Sequence, residues 1–505
     1  MAEFARSLER SLLTHARVSV DIKKGDSALR IGGVAKQLTA IISEAINGEY
    51  GKILESENTK QLFGYGRTEQ LDVPFQDFLK HNVKIFLNDS ELDSEALRQL
   101  SVLSTGVACL QLFIQTNWTG PPHSYDPTQQ IPLHYQQQGN DFQEYIFNSL
   151  CCDEGSIYSL VGKPLYLLIA QTLLIDCRKL LPSCQTVDWW ALRCLFVKQR
   201  LLDERSPTCH DEIMHLIQQV QTSDLLSSSV QSFTKIQFHL ELCYIYGYYY
   251  EYQKAKGELT NATKAAELEV TLAGALGKRT KFQHNDIAQL CLQVIKPESK
   301  APIEDSIKLD VDRLPKDLLL NDETLLNKVQ YADPEHNKIP NLSGLEQALL
   351  LAMCIEHKRV QPKQELLVEE LQSYIQVILE QPRVWCIQTV ALMMRSLLED
   401  NRRKTVERSM MQLEVLVNQF NNNIPEGPDR LYLFYASNMP ARWKIEQNFA
   451  KLLISLGAIS TALEVYLRLH LWEEAIECYQ ALGRYEKVCV TIVIYGEKSL
   501  NVIRH

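Results

Sequence analysis

Two stretches of this sequence place small and large side chains at the spacings of helical hairpins. In residues 443–469, Phe449, Ala450 and Leu453 fall on one helix, Gly457 and Ile459 on a turn, and Ala462, Tyr466 and Leu469 on a second helix. Trp472, Ile476 and Tyr479 then mark a third helix. Gly483 and Tyr485 mark the next turn, and Val488 stands where a small alanine is usual. Residues 236–266 follow the same scheme, with His239, Leu242, Cys243 and Tyr246, then Tyr252, Ala255, Leu259 and Ala262. Spacings of three and four put such residues on one helix face. Small residues let two helix axes approach, and large ones fill the gap to the neighbouring hairpin.

These are tetratricopeptide-type units, helix–turn–helix repeats of about 34 residues in their common form. Gly483 follows Gly457 by 26 residues, so short helices are expected. The residues expected to pack the repeats are Leu242, Cys243, Tyr246, Tyr252, Ala255, Ala262, Ala450, Gly457, Ala462, Tyr466, Trp472, Tyr479, Gly483 and Tyr485. Elsewhere the 505-residue chain also reads as helix. Its 21 glycines and 18 prolines are few for this length, which favours long helices over turn-rich sheet. Helical spacing appears at Leu38, Ile41, Ile42 and Ala45, over Leu97–Thr116, and in several runs between 141 and 204. Four long helices are expected over 343–421, the first opened by a capping box at Ser343 and Glu346. Gly120 to Gly139 reads as an exposed loop. No strand alternation stands out except near Val488–Ile494, where β-branched residues lower helix propensity.

The bulk numbers narrow the function. Net charge is −10, and the basic runs at Lys278, Arg279 and Lys281 and at Arg402, Arg403 and Lys404 have no interleaved aromatics. Direct nucleic-acid binding, which needs clustered cations against phosphates, is not expected. The 13 cysteines are scattered with no Cys-x-x-Cys pair, which fits reduced thiols in the cytoplasm rather than a secreted disulfide framework. Met1–Leu13 lacks a signal-type apolar core. The longest apolar run, near Leu165–Ile175, falls short of the roughly 18 residues a membrane span needs. No membrane span is expected.

No catalytic, cofactor-binding or metal-binding residues emerge. Gly274 and Gly277 precede Lys278, Arg279 and Thr280, but a phosphate loop needs four residues between its glycines and Ser or Thr directly after Lys. A turn between helices is expected there. His210 and His215, beside Cys209, Asp211 and Glu212, are five residues apart rather than four and so lie on different helix faces. Cys151 and Cys152 are adjacent and cannot act as a spaced ligand pair. No Gly-x-Ser-x-Gly elbow is present. The chain reads as a non-enzyme.

Six runs carry a family resemblance: Leu110–Pro122, Gly155–Leu160, Trp189–Cys194, Leu202–Pro207, Tyr248–Ala255 and Leu272–Thr280. Together they resemble the tetratricopeptide repeat protein 27 family over roughly residues 36–487. The resemblance implies an all-α fold, a helical-hairpin (TPR-like) α-solenoid with a helical N-terminal region. It implies a protein–protein interaction scaffold or adaptor whose partners are other proteins, linked to chaperone-assisted assembly of spliceosomal ribonucleoproteins. A regulatory adaptor in a membrane-trafficking or cell-wall pathway is the alternative. The cytoplasm is the expected location, with the nucleus second. The carboxylate clamp by which some such domains hold a chaperone tail is not matched, since its places hold Leu240 and Tyr244, Gln447 and Lys451, and Glu473 and Glu477.

The expected plan is a divergent segment at 1–33 and a helical region at 34–296 with a hairpin at 236–266. A linker or loop follows at 297–342, helical hairpins at 343–487 with repeat units at 443–487, and an atypical tail at 488–505. The departure from the family near Val488 reads as a truncated or alternatively terminated form. Candidate contact residues are aromatics near Trp118, Trp189 and Trp190 and at Tyr248–Tyr252, with a core role as the competing reading. Oligomeric state is left open.

Overall fold

The computed structural model describes residues 2–15, 28–66, 73–88, 94–227, 232–297, 305, 307–362, 364–400 and 404–491. The chain forms two compact units. The first comprises Met1–Ala266, Pro302–Lys308 and Asn423–Ala436, and the second Glu267–Ala301, Leu309–Asn422 and Ser437–His505. Both are helical, apart from one small sheet in the second.

The main helices of the first unit are α1 (Ala2–Thr14), α2 (Ala28–Ile46), α3 (Phe75–Asn88), α4 (Glu95–Ile114), α5 (Pro164–Gln171), α6 (Val187–Gln199), α7 (Pro207–Thr222), α8 (Ser232–Tyr248) and α9 (Tyr252–Ala266). Helix α4 is the axis of the core. Every residue from 99 to 115 is buried, as a helix apolar all round must be. With the π-helical turn that extends it, Glu95–Thr119 is long and apolar enough to cross a bilayer, yet 94% of its most apolar window lies inside the protein. This core helix, not Leu165–Ile175, is the longest apolar helical stretch among the described residues.

Several polar groups along α4 are hydrogen-bonded. The Ser101 and Thr105 hydroxyls donate to the carbonyls one turn back, each at 2.8 Å. Gln99 Oε1 accepts from the Ser183 amide at 2.8 Å. Gly106 sets the approach of the turn that follows α5, because a Cβ there would lie 2.8 Å from the Leu174 side chain.

A buried ion pair joins α6 to α8. Arg193 Nη2 and Nε donate to Glu241 Oε1 and Oε2 at 2.6 and 3.0 Å, with side chains 1% and 3% exposed. Trp189 Nε1 donates to the same carboxylate at 2.7 Å, and Arg193 Nη1 reaches the Leu13 carbonyl of α1 at 3.3 Å. The guanidinium lies over the rings of Trp190 and Tyr435, 4.6 and 4.4 Å from their centroids. Charges this deep persist only when paired and hydrogen-bonded.

Residues 423–436 return to the first unit from far along the chain. Arg430 is fully buried and donates to the Pro425 carbonyl and the Thr119 carbonyl, both at 2.9 Å. Phe434 packs edge-on against Trp118. Gly427 is seated on Gln115, where a Cβ would lie 2.4 Å from Oε1.

The second unit contains a three-stranded antiparallel sheet in the order β2–β1–β3, from β1 (Glu269–Thr280), β2 (Ile287–Ile295) and β3 (Leu325–Tyr331). β1 and β2 pair from Glu269↔Ile295 to Gly277↔Ile287. β3 joins the far end of β1 at Gly277↔Tyr331, with an irregularity between Lys278 and Thr280. This corrects three expectations. Residues 269–280 and 287–295 are strands, not part of a helical region. Gly274–Thr280 lies within β1, not in a turn between helices. The stretch 297–342 contributes β3 and two short 3-10 turns rather than reading throughout as linker. Gly277 permits the close approach of β3, because a Cβ there would meet the Gln330 carbonyl at 2.8 Å.

After the sheet come α10 (Gly344–Val360), α11 (Glu365–Glu380), α12 (Trp385–Glu399), α13 (Val406–Asn418), α14 (Arg442–Ser455), α15 (Ile459–Arg468) and α16 (Trp472–Ala481), each packed on the next. The capping box that opens α10 is formed as the sequence indicates. Ser343 Oγ accepts from the Glu346 amide and the Glu346 carboxylate accepts from the Ser343 amide at 2.7 Å. Residues 485–491 are helical despite their β-branched run, with Thr491 Oγ1 bonded back to the Lys487 carbonyl at 2.8 Å. The rest of the tail, 492–505, and residues 16–27 of the N-terminal segment lie outside the described residues. The 120–139 stretch is not wholly exposed, since Pro121, Pro127, Ile131 and Tyr135 are buried.

Glu241→Gln leaves Arg193 buried without a counter-charge and is expected to cost about 3–5 kcal/mol in denaturant unfolding. Replacing both residues by Met is expected to cost clearly less. Equal losses in the two variants would show that lost packing, not the orphaned charge, sets the penalty.

Burial raises the Glu9 carboxyl from 4.5 to about 7, against hydrogen bonds from Thr186 that lower it. Burial, with the Arg193 charge, lowers His15 from 6.5 to about 4. Between pH 7 and 4.5 Glu9 binds a proton on folding, so acidification adds stability. Between pH 6.5 and 4 His15 loses one on folding, so acidification removes stability. The two oppose each other from pH 6.5 to 4.5. Glu9→Gln is expected to unmask a loss of about 1.4 kcal/mol per pH unit below 6.5, measured by melts across pH. A variant with the same pH profile as the unaltered chain would refute this opposition.

Candidate interaction surface

The hairpin at 236–266 is built from α8 and α9. Leu242, Cys243, Tyr246, Ala255, Leu259 and Ala262 are all buried. His239 Nδ1 and Glu258 Oε2 meet across the pair at 2.6 Å. The turn between the helices places Tyr250 in the left-handed region at φ 63°, and the Glu251 amide closes it on the Tyr246 carbonyl at 2.9 Å. Glycine usually fills that position because it has no Cβ penalty.

The hairpins at 443–487 use the same turn three times. Left-handed residues occur at Gly457 (φ 83°), His470 (φ 53°) and Gly483 (φ 68°), at intervals of 13 residues. After each, an amide bonds five residues back: Ala458 to Leu453, Leu471 to Tyr466 and Arg484 to Tyr479, at 2.9–3.0 Å. Helices α15 and α16 have ten residues each. Ala450, Ala462 and Ala475 are fully buried at the crossings, and Tyr466 and Tyr479 fill the layer between them. Trp472 is half-buried and stacks on His470 at 5.2 Å. Gln447 Nε2 donates to Glu474 Oε1 at 2.6 Å, which ties α14 to α16.

Four residues expected to pack the repeats do not: Gly457 and Gly483 shape turns in the open, with nothing within 4 Å of a Cβ placed on either, and two aromatics face out. Tyr252 is 41% exposed and Tyr485 is 67% exposed, because each opens a second helix on its outward side. Trp118, Trp189 and Trp190, named as candidate contacts, are fully buried, so the competing core reading holds for them. Tyr250, 61% exposed, remains on the surface with Tyr252. Arg205 lies over the Tyr250 ring at 4.0 Å and donates from Nε to the Tyr248 carbonyl at 2.7 Å.

The chemistry-bearing residues singled out in the sequence do not converge. His210 contacts Asp211 and Glu251, each at 3.2 Å. Among the described residues no group of three His, Cys, Asp or Glu side chains is placed to hold a metal. A cavity of about 320 Å³ in the second unit lies between the sheet, the 317–320 segment and α11. Its walls include Leu318, Leu320, Leu325 and Ile375. Its arginines are engaged by carboxylates: Arg279 by Glu369 at 2.6 Å, Arg395 by Asp317 at 2.5 Å and Arg408 by Glu399 at 2.5 Å. Charges neutralised in this way do not make a phosphate cradle. Sequence reading missed these pairs because charged residues on a helix look solvated until a partner element is placed beside them.

No family model matches the sequence, and no solved structure matches it. Curated relatives do. A tetratricopeptide repeat protein 27 homolog of Dictyostelium discoideum is 30% identical over 431 residues, covering 79% of this chain and 50% of that protein. A TPR repeat-containing protein of Schizosaccharomyces pombe is 29% identical over 487 residues, covering 85% of this chain and 58% of that protein. The Saccharomyces cerevisiae protein named Essential for maintenance of the cell wall protein 1 is 24% identical over 565 residues, covering 94% and 61%. The chain thus spans 50–61% of the length of these relatives.

The alanine layers yield a stability prediction. Ala462→Leu adds volume where α15 crosses its neighbours and is expected to destabilise the hairpins by about 1–3 kcal/mol. Hydrogen exchange should speed up over 443–487 and stay unchanged over α4. Unaltered protection at 443–487 would mean that the crossing is not close-packed.

Proposed function

Because the chain belongs to the tetratricopeptide repeat protein 27 family, we propose that it acts as a protein-interaction scaffold rather than a catalyst. The observation that supports this most is the regular stack of short helices at 442–481. Most of its apolar residues face inward, while Lys451, Glu464, Arg468, Glu473 and Glu477 face out. A stack of this kind presents an extended surface for docking polypeptide segments. The finer form of the proposal, carried by the family resemblance, is assistance to chaperone-linked assembly of ribonucleoproteins, in the cytoplasm and nucleus.

The test is affinity capture of the full chain after lysine crosslinking, read by mass spectrometry. Stoichiometric partners are expected, crosslinked through Lys451 and Lys487 on the outer face of the hairpins, with chaperone and ribonucleoprotein-assembly components among them. Partners lacking such components would remove the finer reading. No stoichiometric partner at all would remove the scaffold reading.

A further inference from the structure

In the first unit, two cysteines from separate segments meet at the start of α7. Residues 152–155 form a tight turn, closed by reciprocal backbone bonds between Cys152 and Gly155 at 3.3 and 2.9 Å, with Asp153 left-handed at φ 53°. The Asp153 carboxylate anchors this turn to α7. It accepts from Thr208 Oγ1 at 2.6 Å, from the Thr208 amide at 3.2 Å, and from the Ser206 hydroxyl. Ser206 is the N-cap of α7, and its Oγ accepts from the Cys209 amide at 3.0 Å. The same Oγ lies 3.1 Å from Cys152 Sγ. Ser206 Oγ thus sits between Cys152 Sγ and the Cys209 backbone, and the Cys209 side chain interacts with both Ser206 and Cys152. Cys209 is buried and Cys152 is partly exposed.

We propose that Cys152 and Cys209 are a redox modification site, oxidised by peroxide to a disulfide that thiols reverse. In the first step the accessible Cys152 thiol takes an oxygen from hydrogen peroxide, giving the sulfenic acid and one water. In the second, the Cys209 sulfur attacks the Cys152 sulfur. The S–O bond breaks, the S–S bond forms, and the departing hydroxide takes the Cys209 proton as a second water. Peroxide is reduced and the two thiols are oxidised by two electrons in total. Burial pushes the Cys209 thiol up to about 11, which keeps it protonated and unreactive toward solvent oxidants until a sulfenic acid forms beside it. Cys151 is a poor alternative, because adjacent residues rarely reach the bridge geometry. The bridge would lock the 152–155 turn to α7. It would lie beside the turn that carries Tyr250, since Ser206 N and Tyr249 OH share Gln199 Oε1 as acceptor at 3.1 Å each.

The experiment is peroxide titration of the reduced full chain, followed by thiol counting and non-reducing peptide mapping. Two of the 13 thiols should be lost first, in one crosslinked peptide pair containing Cys152 and Cys209, and both should return with dithiothreitol. Cys151→Ser should keep the crosslink, while Cys152→Ser and Cys209→Ser should each abolish it. Cys152→Ser carries the test if Cys209→Ser fails to fold. Accumulation of sulfinic acid at Cys152, a crosslink through Cys151 instead, or 13 intact thiols at peroxide levels that oxidise free cysteine would each overturn the proposal.

Discussion

The first unit depends on the buried pair Arg193–Glu241. Two opposite charges removed from water are tolerable because they pair bidentately and each guanidinium nitrogen donates a hydrogen bond. The carboxylate takes three hydrogen bonds, from two guanidinium nitrogens and the Trp189 indole. The guanidinium spends another on the Leu13 carbonyl and lies against Trp190 and Tyr435. These contacts hold α1, α6, α8 and the 423–436 segment in one arrangement. An apolar contact of the same size would bury as much area but would accept several rotations of α8 on α6. The bidentate ion pair accepts few, because both its nitrogens and both its oxygens must stay aligned.

Arg430 does related work at a different place. It binds carbonyls of its own segment and of the turn that ends α4, residues more than three hundred positions apart. The loop-closure entropy of such a contact is large but grows only slowly with length. Gly427 lets the segment sit directly on Gln115, and Gly106 lets the turn after α5 sit directly on α4. The core helix is therefore crowded by backbone approach at two points along its length, so its burial needs no bilayer.

In the second unit the organising constraint is the turn. Each hairpin helix ends in a left-handed residue followed by an amide that bonds five residues back. That geometry stops a helix in a fixed orientation and starts the next within two or three residues. Repeating it every 13 residues limits α15 and α16 to ten residues, and alanines at the crossings let helices of that length pack closely. His470 takes the left-handed position without being glycine, and its ring stacks on Trp472.

The sequence alone determined the helical class, the hairpin spacing at 443–487, the capping box at Ser343 and Glu346, and the small residues at the crossings. These are legible because they rest on local periodicity and on contacts within a few turns. Only the tertiary structure decided the rest. The sheet was hidden because β1 buries the small Ala275 and Gly277 and exposes Leu276, so its alternation of burial is not an alternation of hydrophobicity. Trp189 and Trp190 could be assigned to core or surface only once Arg193 and Tyr435 were placed beside them. Tyr252 and Tyr485 match the repeat pattern by spacing, yet each stands on the outward side of the helix it opens. Burial of a charge, exposure of an aromatic and the meeting of Cys152 with Cys209 all depend on which distant segment arrives, and periodicity carries no information about that.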